Sequence, residues 1–246
     1  MTLAATGPDL WLLVAAAFVA GLVRGFSGFG TAMIYLPVAG QFLSPFAAIT
    51  TLVVFDLIAP LPTVPRALRE GHRADVLRLT GGLIIGLPIG LYLLSLASPV
   101  FFRYAVSGIA LLLLVCLISG LRYRGTLTRP MIFGTGGLGG VLMGIAGLPG
   151  PPVILLYMAS PLPVQVIRAN TLLYLILTDV VYLPVLALIG RLEVGAVLLG
   201  CVLVAPSLLG NVIGAWLFRP GQERVYRGIA YAIIAASALS GLPVWD

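Results

Sequence analysis

Long apolar runs separated by short polar connections set the plan of this chain. The first run covers roughly residues 9–40, too long for one straight membrane helix of about 20 residues. Gly21, Gly25, Gly28, Gly30 and Arg24 interrupt it near its middle. Two arms, about 9–24 and 30–40, are expected as a helical hairpin or a sharply broken helix. A second apolar segment, about Pro45 to Leu61, carries Thr50, Thr51 and Asp56. Residues 62–78 turn polar, with Pro62, Pro65, Arg66, Arg69, Glu70, Arg73, Asp75 and Arg78, and predict a surface connection of amphipathic character. Spans follow at about 79–96 and 103–121. The first places Gly82, Gly86 and Gly90 on one helix face, where a neighbour can approach closely. The second has no polar centre and predicts a lipid-facing helix.

After Arg122, Arg124 and Arg129 the plan repeats. Residues 131–160 form another long run, broken at Gly147-Leu-Pro-Gly-Pro-Pro152. Residues 164–189 carry Asn170, Thr171, Tyr174 and Asp179; residues 195–218 carry Pro206, Gly210 and Gly214; residues 227–243 open on Gly228-Ile-Ala230. Gly21, Gly25 and Gly28 fall on Gly140, Gly144 and Gly147 at an offset of 119. Gly82, Gly86 and Gly90 fall on Pro206, Gly210 and Gly214 at 124, and Gly108-Ile-Ala110 on Gly228-Ile-Ala230 at 120. Ordered anchors at near-constant offset indicate a duplication, with repeats at 1–125 and 126–246 inside one integral-membrane domain.

Composition names the solvent. Charged residues make up 9% of the chain and hydrophobic ones 60%, with a mean hydropathy of +1.13, against about 25% charged in a soluble domain. Most of this surface therefore faces lipid. Cys116 and Cys201 sit in apolar runs without disulfide or metal-ligand spacing, so no metal or cofactor is expected. His72, among Arg69, Glu70, Arg73 and Asp75, reads as a solvated loop histidine. All fourteen basic residues are arginine, without the basic-aromatic stripes of a nucleic-acid binder. The first twenty residues lack a basic n-region, so a cleaved signal peptide is not expected.

Arginine placement decides between two topologies. If each broken segment crosses once, the halves are parallel and the loop arginines split eight to five. If each enters and returns, the split is eleven to two, with only Arg103 and Arg191 opposed. The positive-inside rule favours the second: inverted repeats, each a hairpin plus three spans, with both termini outside.

Candidate chemistry centres on the breaks. Gly25-Phe-Ser-Gly28 has the G-x-S-G spacing of an intramembrane serine hydrolase. An activated serine needs a base within hydrogen-bond reach, and no membrane histidine or lysine supplies one; no enzyme is expected. Where a helix restarts, its first amides lack partners and its dipole favours an anion. Ser27 and Thr31 add hydroxyls, while Pro149, Pro151 and Pro152 suit the first turn of a restart. Matching interruptions in two halves point to a transporter's binding site, so residues 25–30 and 147–152 are expected to meet around the substrate. The competing reading gives the glycines to tight helix crossing alone. Arg24, a charge inside an apolar run, either attracts an oxyanion or pairs permanently with Asp56. Asp56 and Asp179, each shortly before a proline (Pro60 and Pro184), serve as coupling carboxylates or as structural ones. The substrate-binding candidates are Arg24, Ser27, Gly28, Gly30, Thr31, Gly147, Pro149, Gly150, Asn170 and Thr171, with Thr50 and Thr51 as first-half counterparts of the last two.

At Arg24-Gly-Phe-Ser-Gly-Phe-Gly30 and Gly144-Ile-Ala-Gly-Leu-Pro-Gly-Pro-Pro152 the chain resembles the TauE/SafE family of sulfite exporter-like permeases. The resemblance extends to the duplicated halves, the basic connection and Arg168-x-Asn-Thr171. It implies a multi-pass protein of a bacterial inner membrane that moves sulfite, sulfoacetate or another organosulfonate, with H+ as a candidate coupling ion. Phe29 interrupts the glycine run that many members carry, and prolines replace it in the second copy. An anion channel and a carrier of small carboxylates are the alternatives, and a homo-oligomer is compatible with the pattern.

Overall fold

The computed structural model describes residues 7–27, 29–119, 127–158, 162–217 and 223–244, and every regular element among them is helical. In order these are α1 Pro8–Ser27, α2 Thr31–Ala39, α3 Pro45–Ile58, a 3-10 turn Leu61–Thr63, α4 Val64–Glu70, α5 Arg73–Leu96 and α6 Pro99–Ser119. There follow α7 Arg129–Ala146, α8 Gly150–Met158, α9 Val164–Leu188, α10 Val194–Leu217 and α11 Glu223–Gly241. Five of them, α1, α5, α6, α9 and α10, are long and apolar enough to cross a membrane. Exposed Ile84, Ile85, Ile89, Tyr92, Leu93 and Leu96 leave one side of α5 fit for lipid.

Local chemistry sets several boundaries. Ser44 Oγ accepts from the Ala47 amide at 3.3 Å and starts α3, whose first residue is Pro45. Pro60, Pro62 and Pro65 each remove a donor, and the chain answers with the short turn and then α4, where Arg66 and Glu70 pair at 2.7 Å. The matching stretch of the second half has only Pro184 and runs as a single 25-residue helix, α9. The polar residues expected to lie wholly in a connection partly enter a helix, since α5 begins at Arg73 rather than near 79.

The chain forms two compact units, Met1–Ala59 with Ser98–Leu114 and Gly190–Asp246, and Pro60–Ala97 with Val115–Ile189. Each draws on both sequence halves. In the first unit α1 lies on α10: a Cβ on Gly21 would strike Ser207, one on Gly25 would strike Asn211 and Gly214, and one on Gly214 would strike Leu22. These registers ascend together, so the two helices run parallel. Ser44 reaches Glu193 at 3.4 Å and Gly200 abuts Thr51 and Val54, so α3 also runs parallel to α10. With α1 and α3 pointing the same way, α2 between them turns back. Gly30 beside Ile234 and Gly241 against Pro37 place α2 along α11.

The second unit repeats this plan with other segments. Gly82, Gly86 and Gly90 of α5 meet Phe133, Gly137 and Val141 of α7 in ascending register. Its core gathers Ile132 at the start of α7 with Val153, Leu156 and Tyr157 towards the end of α8, so α8 returns along α7. Both broken segments are therefore hairpins. The equivalence reaches single contacts: Gly21 on Ser207 corresponds to Gly140 on Leu83, and Gly25 on Gly214 to Gly144 on Gly90. Most of the expected glycine stripes thus serve helix crossing. α6 differs from expectation, because Phe102, Val106, Ala110 and Leu113 bury one face while Leu112, Val115 and Ile118 stay exposed.

Candidate functional site

In the first unit the break lies between Ser27 and Thr31, and Gly28 falls outside the described residues. Gly30 takes φ +103° and ψ −2°, a left-handed conformation that costs an L side chain dearly. A Cβ there would find its nearest neighbour 3.5 Å away at Ile234, so backbone conformation and not crowding requires the glycine. Ile234 lies midway along α11, which puts the restart of α2 level with the middle of that helix. Ser27 Oγ lies 2.6 Å from the Val23 carbonyl oxygen and 2.9 Å from that of Phe29, and it pins the loop to the end of α1.

α2 begins without a side-chain cap, and the first return bond is Ile34 N–H to Gly30 O at 3.2 Å. The amides of Thr31, Ala32 and Met33 therefore have no partner within the helix. Beside them stands Arg24, whose Nη1 pairs with Asp56 Oδ1 and approaches Thr31 Oγ1 at 3.4 Å. The side chains are 13% and 18% exposed, so each charge depends on the other for most of its stabilisation. An unpaired arginine at this depth would cost about 2.5–3.5 kcal/mol on the insertion scale. Of the two roles open to Arg24, pairing with Asp56 is the one the structure displays. On the adjoining face Tyr35 donates to Thr51 Oγ1 at 2.8 Å, and Thr51 donates to Ala48 O at 2.8 Å. Thr50 Oγ1, buried on α3, has no hydrogen-bond partner among the described residues.

The break of the second unit has another chemistry. Gly147 closes α7 at φ 66°, its N–H bonded to Met143 O at 2.9 Å. Pro149 follows in the connection and α8 restarts at Gly150, with Pro151 and Pro152 in its first turn. Of those first three helical positions only Gly150 has an amide to offer. The two restarts are thus unequal: the first three positions of α2 carry three amides, those of α8 one. Gly150 packs near Leu175, the middle of α9, and a Cβ on Gly139 would run into the Tyr174 hydroxyl and the Pro149 carbonyl. Tyr174 donates to Gly136 O at 3.2 Å. It is the polar side chain next to this break. A buried tyrosine in an apolar span must find a partner for its hydroxyl, which is the signal that would have singled it out.

Asn170 stands near the start of α9. Its Oδ1 accepts the His72 N–H at 2.7 Å and its Nδ2 donates to Tyr157 OH at 3.1 Å, with the side chain fully buried. Thr171 beside it is half-buried, and Asp179 is buried in α9. His72 is exposed in the connection before α5, as expected of a solvated loop histidine, and its Nδ1 lies 3.0 Å from Asp75 Oδ2, while Arg78 holds Oδ1 at 2.7 Å. Replacing Asn170 by alanine strands the His72 amide and the Tyr157 hydroxyl. The expected loss is about 1–3 kcal/mol, read as a thermal midpoint several degrees lower in detergent.

Residues 13–241 match the family model described as Sulfite exporter TauE/SafE. No curated protein and no solved structure matches the chain.

Proposed function

The chain belongs to the TauE/SafE sulfite exporter family, and from that premise we propose a permease that carries a small sulfur-containing anion, sulfite or an organosulfonate, by alternating access. The protein is a multi-pass membrane protein of a transporter family; its home would be a bacterial inner membrane. One observation carries the reading of the site. Arg24, three uncapped amides of α2 and the Thr31 hydroxyl converge at a break held open by Gly30. A guanidinium fork and helix-terminal amides together suit a tetrahedral or planar oxyanion. Ser27 would shape the loop beside it. Gly147, Pro149, Gly150, Asn170 and Thr171 would form the corresponding region of the other unit, where prolines leave fewer donors.

If each hairpin makes no net crossing and α3, α5, α6 and then α9, α10, α11 each cross, the halves would be inverted repeats, since an odd number of crossings starts the second repeat from the opposite side. A hydrolase is disfavoured because Ser27 Oγ is directed at main-chain carbonyls rather than at a base. The test is flux into liposomes holding the purified protein, with sulfite, sulfoacetate, taurine and small carboxylates as solutes. Saturable flux of the sulfur anions, in preference to carboxylates, is expected. Flux that stays linear with concentration would replace the carrier with a channel.

A further inference from the structure

The Arg24–Asp56 pair does more than neutralise two charges if the site beside it takes an anion. We infer that Asp56 is a resident substitute for the substrate: its carboxylate occupies the guanidinium until a proton displaces it, and this exchange couples one proton to each monovalent anion carried. The inference rests on the anion site proposed above.

The argument is one of charge conservation in a poorly solvated place. Arg24 and Asp56 are mostly buried and paired, a net charge of zero. Adding an anion while Asp56 stays ionised puts two negative charges on one guanidinium, which low dielectric penalises. Protonating Asp56 with no anion bound leaves Arg24 alone, which is penalised as well. Two states remain neutral: Arg24 with ionised Asp56, and Arg24 with the bound anion beside protonated Asp56. The proton is held on the Asp56 carboxyl, the anion takes its place on Arg24, and both leave together when the pair re-forms. Passage between the two neutral states moves H+ and anion as one electroneutral unit. Thr31 Oγ1, already 3.4 Å from Arg24 Nη1, and the α2 amides lie beside the vacated position.

Among the described residues Asp56 is the acidic side chain paired with Arg24. α10 carries no Asp, Glu, His, Lys or Arg from Val194 to Leu217, and its Cys201 is exposed. α2 contributes only Tyr35, bonded to Thr51. On α1 the other charged residue is Asp9, at the far end of the helix. α11, packed on α1 and α2, carries Glu223, Arg224 and Arg227 in its first turns, with Tyr226 against Phe26 and Tyr231 beyond.

Isethionate, a monoanionic sulfonate with no group that titrates near neutrality, separates this proton from the solute's own. In the reconstituted wild-type protein, its half-saturating concentration is expected to rise about tenfold per pH unit where Asp56 is ionised. Asp56→Asn should bind at one affinity across that range, equal to the acid limit of wild type, and should no longer respond to a pH gradient. Asp56→Glu should keep the slope, and so should Glu223→Gln. A flat wild-type profile, a retained slope in Asp56→Asn, or a slope lost in Glu223→Gln would overturn the assignment. If Asp56→Asn does not purify as a monodisperse species, the wild-type and Asp56→Glu profiles decide it, and a flat profile in either overturns it. Absence of saturable flux of both sulfite and isethionate in wild type removes the carrier reading, and this coupling with it.

Discussion

Arg24→Ala is expected to lose sulfite or sulfonate binding by roughly 10²–10³-fold, because a charged partner of a buried anion is worth about 2–5 kcal/mol. The same change isolates Asp56, which is 18% exposed, and breaking a buried pair from one side costs up to about 3–5 kcal/mol. Loss of a ligand contact and loss of fold both abolish binding, and the double variant Arg24→Ala/Asp56→Asn separates the two. With both charges gone the thermal midpoint should return towards wild type while binding stays lost. Anion-dependent thermal stabilisation, read for wild type and both variants, checks this. A double variant that recovers binding would show that Arg24 acts only as the counter-ion of Asp56.

Gly136→Val should disable the protein, and Gly134→Ala, two residues earlier on α7, should leave it intact. A Cβ on Gly136 would collide with the Leu79 backbone, whereas one on Gly134 meets nothing within 4 Å. Overpacking usually costs about 1–3 kcal/mol, and here the obstacle is main chain that no rotamer change can clear, so about 3 kcal/mol or more is expected. Gly134→Ala replaces a poor helix former with the best one and should be neutral or stabilising by up to about 1 kcal/mol. Yield of monodisperse protein and its thermal midpoint report both. Equal tolerance at the two positions would contradict the close α5–α7 crossing.

The sequence exposed the repeat because glycine is conspicuous in an apolar run: Gly21, Gly25, Gly140 and Gly144 announce smooth faces wherever they occur. It did not say which smooth face meets which. α5 and α10 carry the same stripe, yet α1 chooses α10 and α7 chooses α5, a selection made by tertiary packing and not by spacing. Arginine placement favours hairpins over single crossings, since two topologies distribute the same charges differently. Arg24 stayed ambiguous because its partner lies 32 residues away, on a helix whose direction depends on the turn of α2. The inequality of the two restarts was present in Pro151 and Pro152 all along. It becomes visible once α8 is known to begin at Gly150, for only then do the prolines fall where donors would be.

The make-up of each compact unit from both ends of the chain also orders the protein's birth. Pro60–Ala97 and Val115–Ile189 are complete once the ribosome passes residue 189. By contrast α1 presents Gly21 and Gly25 to a helix that ends at Leu217. At about 5–20 residues per second, the earliest-made helix waits on the order of ten seconds or longer for its mate. Throughout that interval its bare backbone face is open to any passing helix, so a nascent-chain chaperone or the insertion machinery has most to protect at the amino-terminal end.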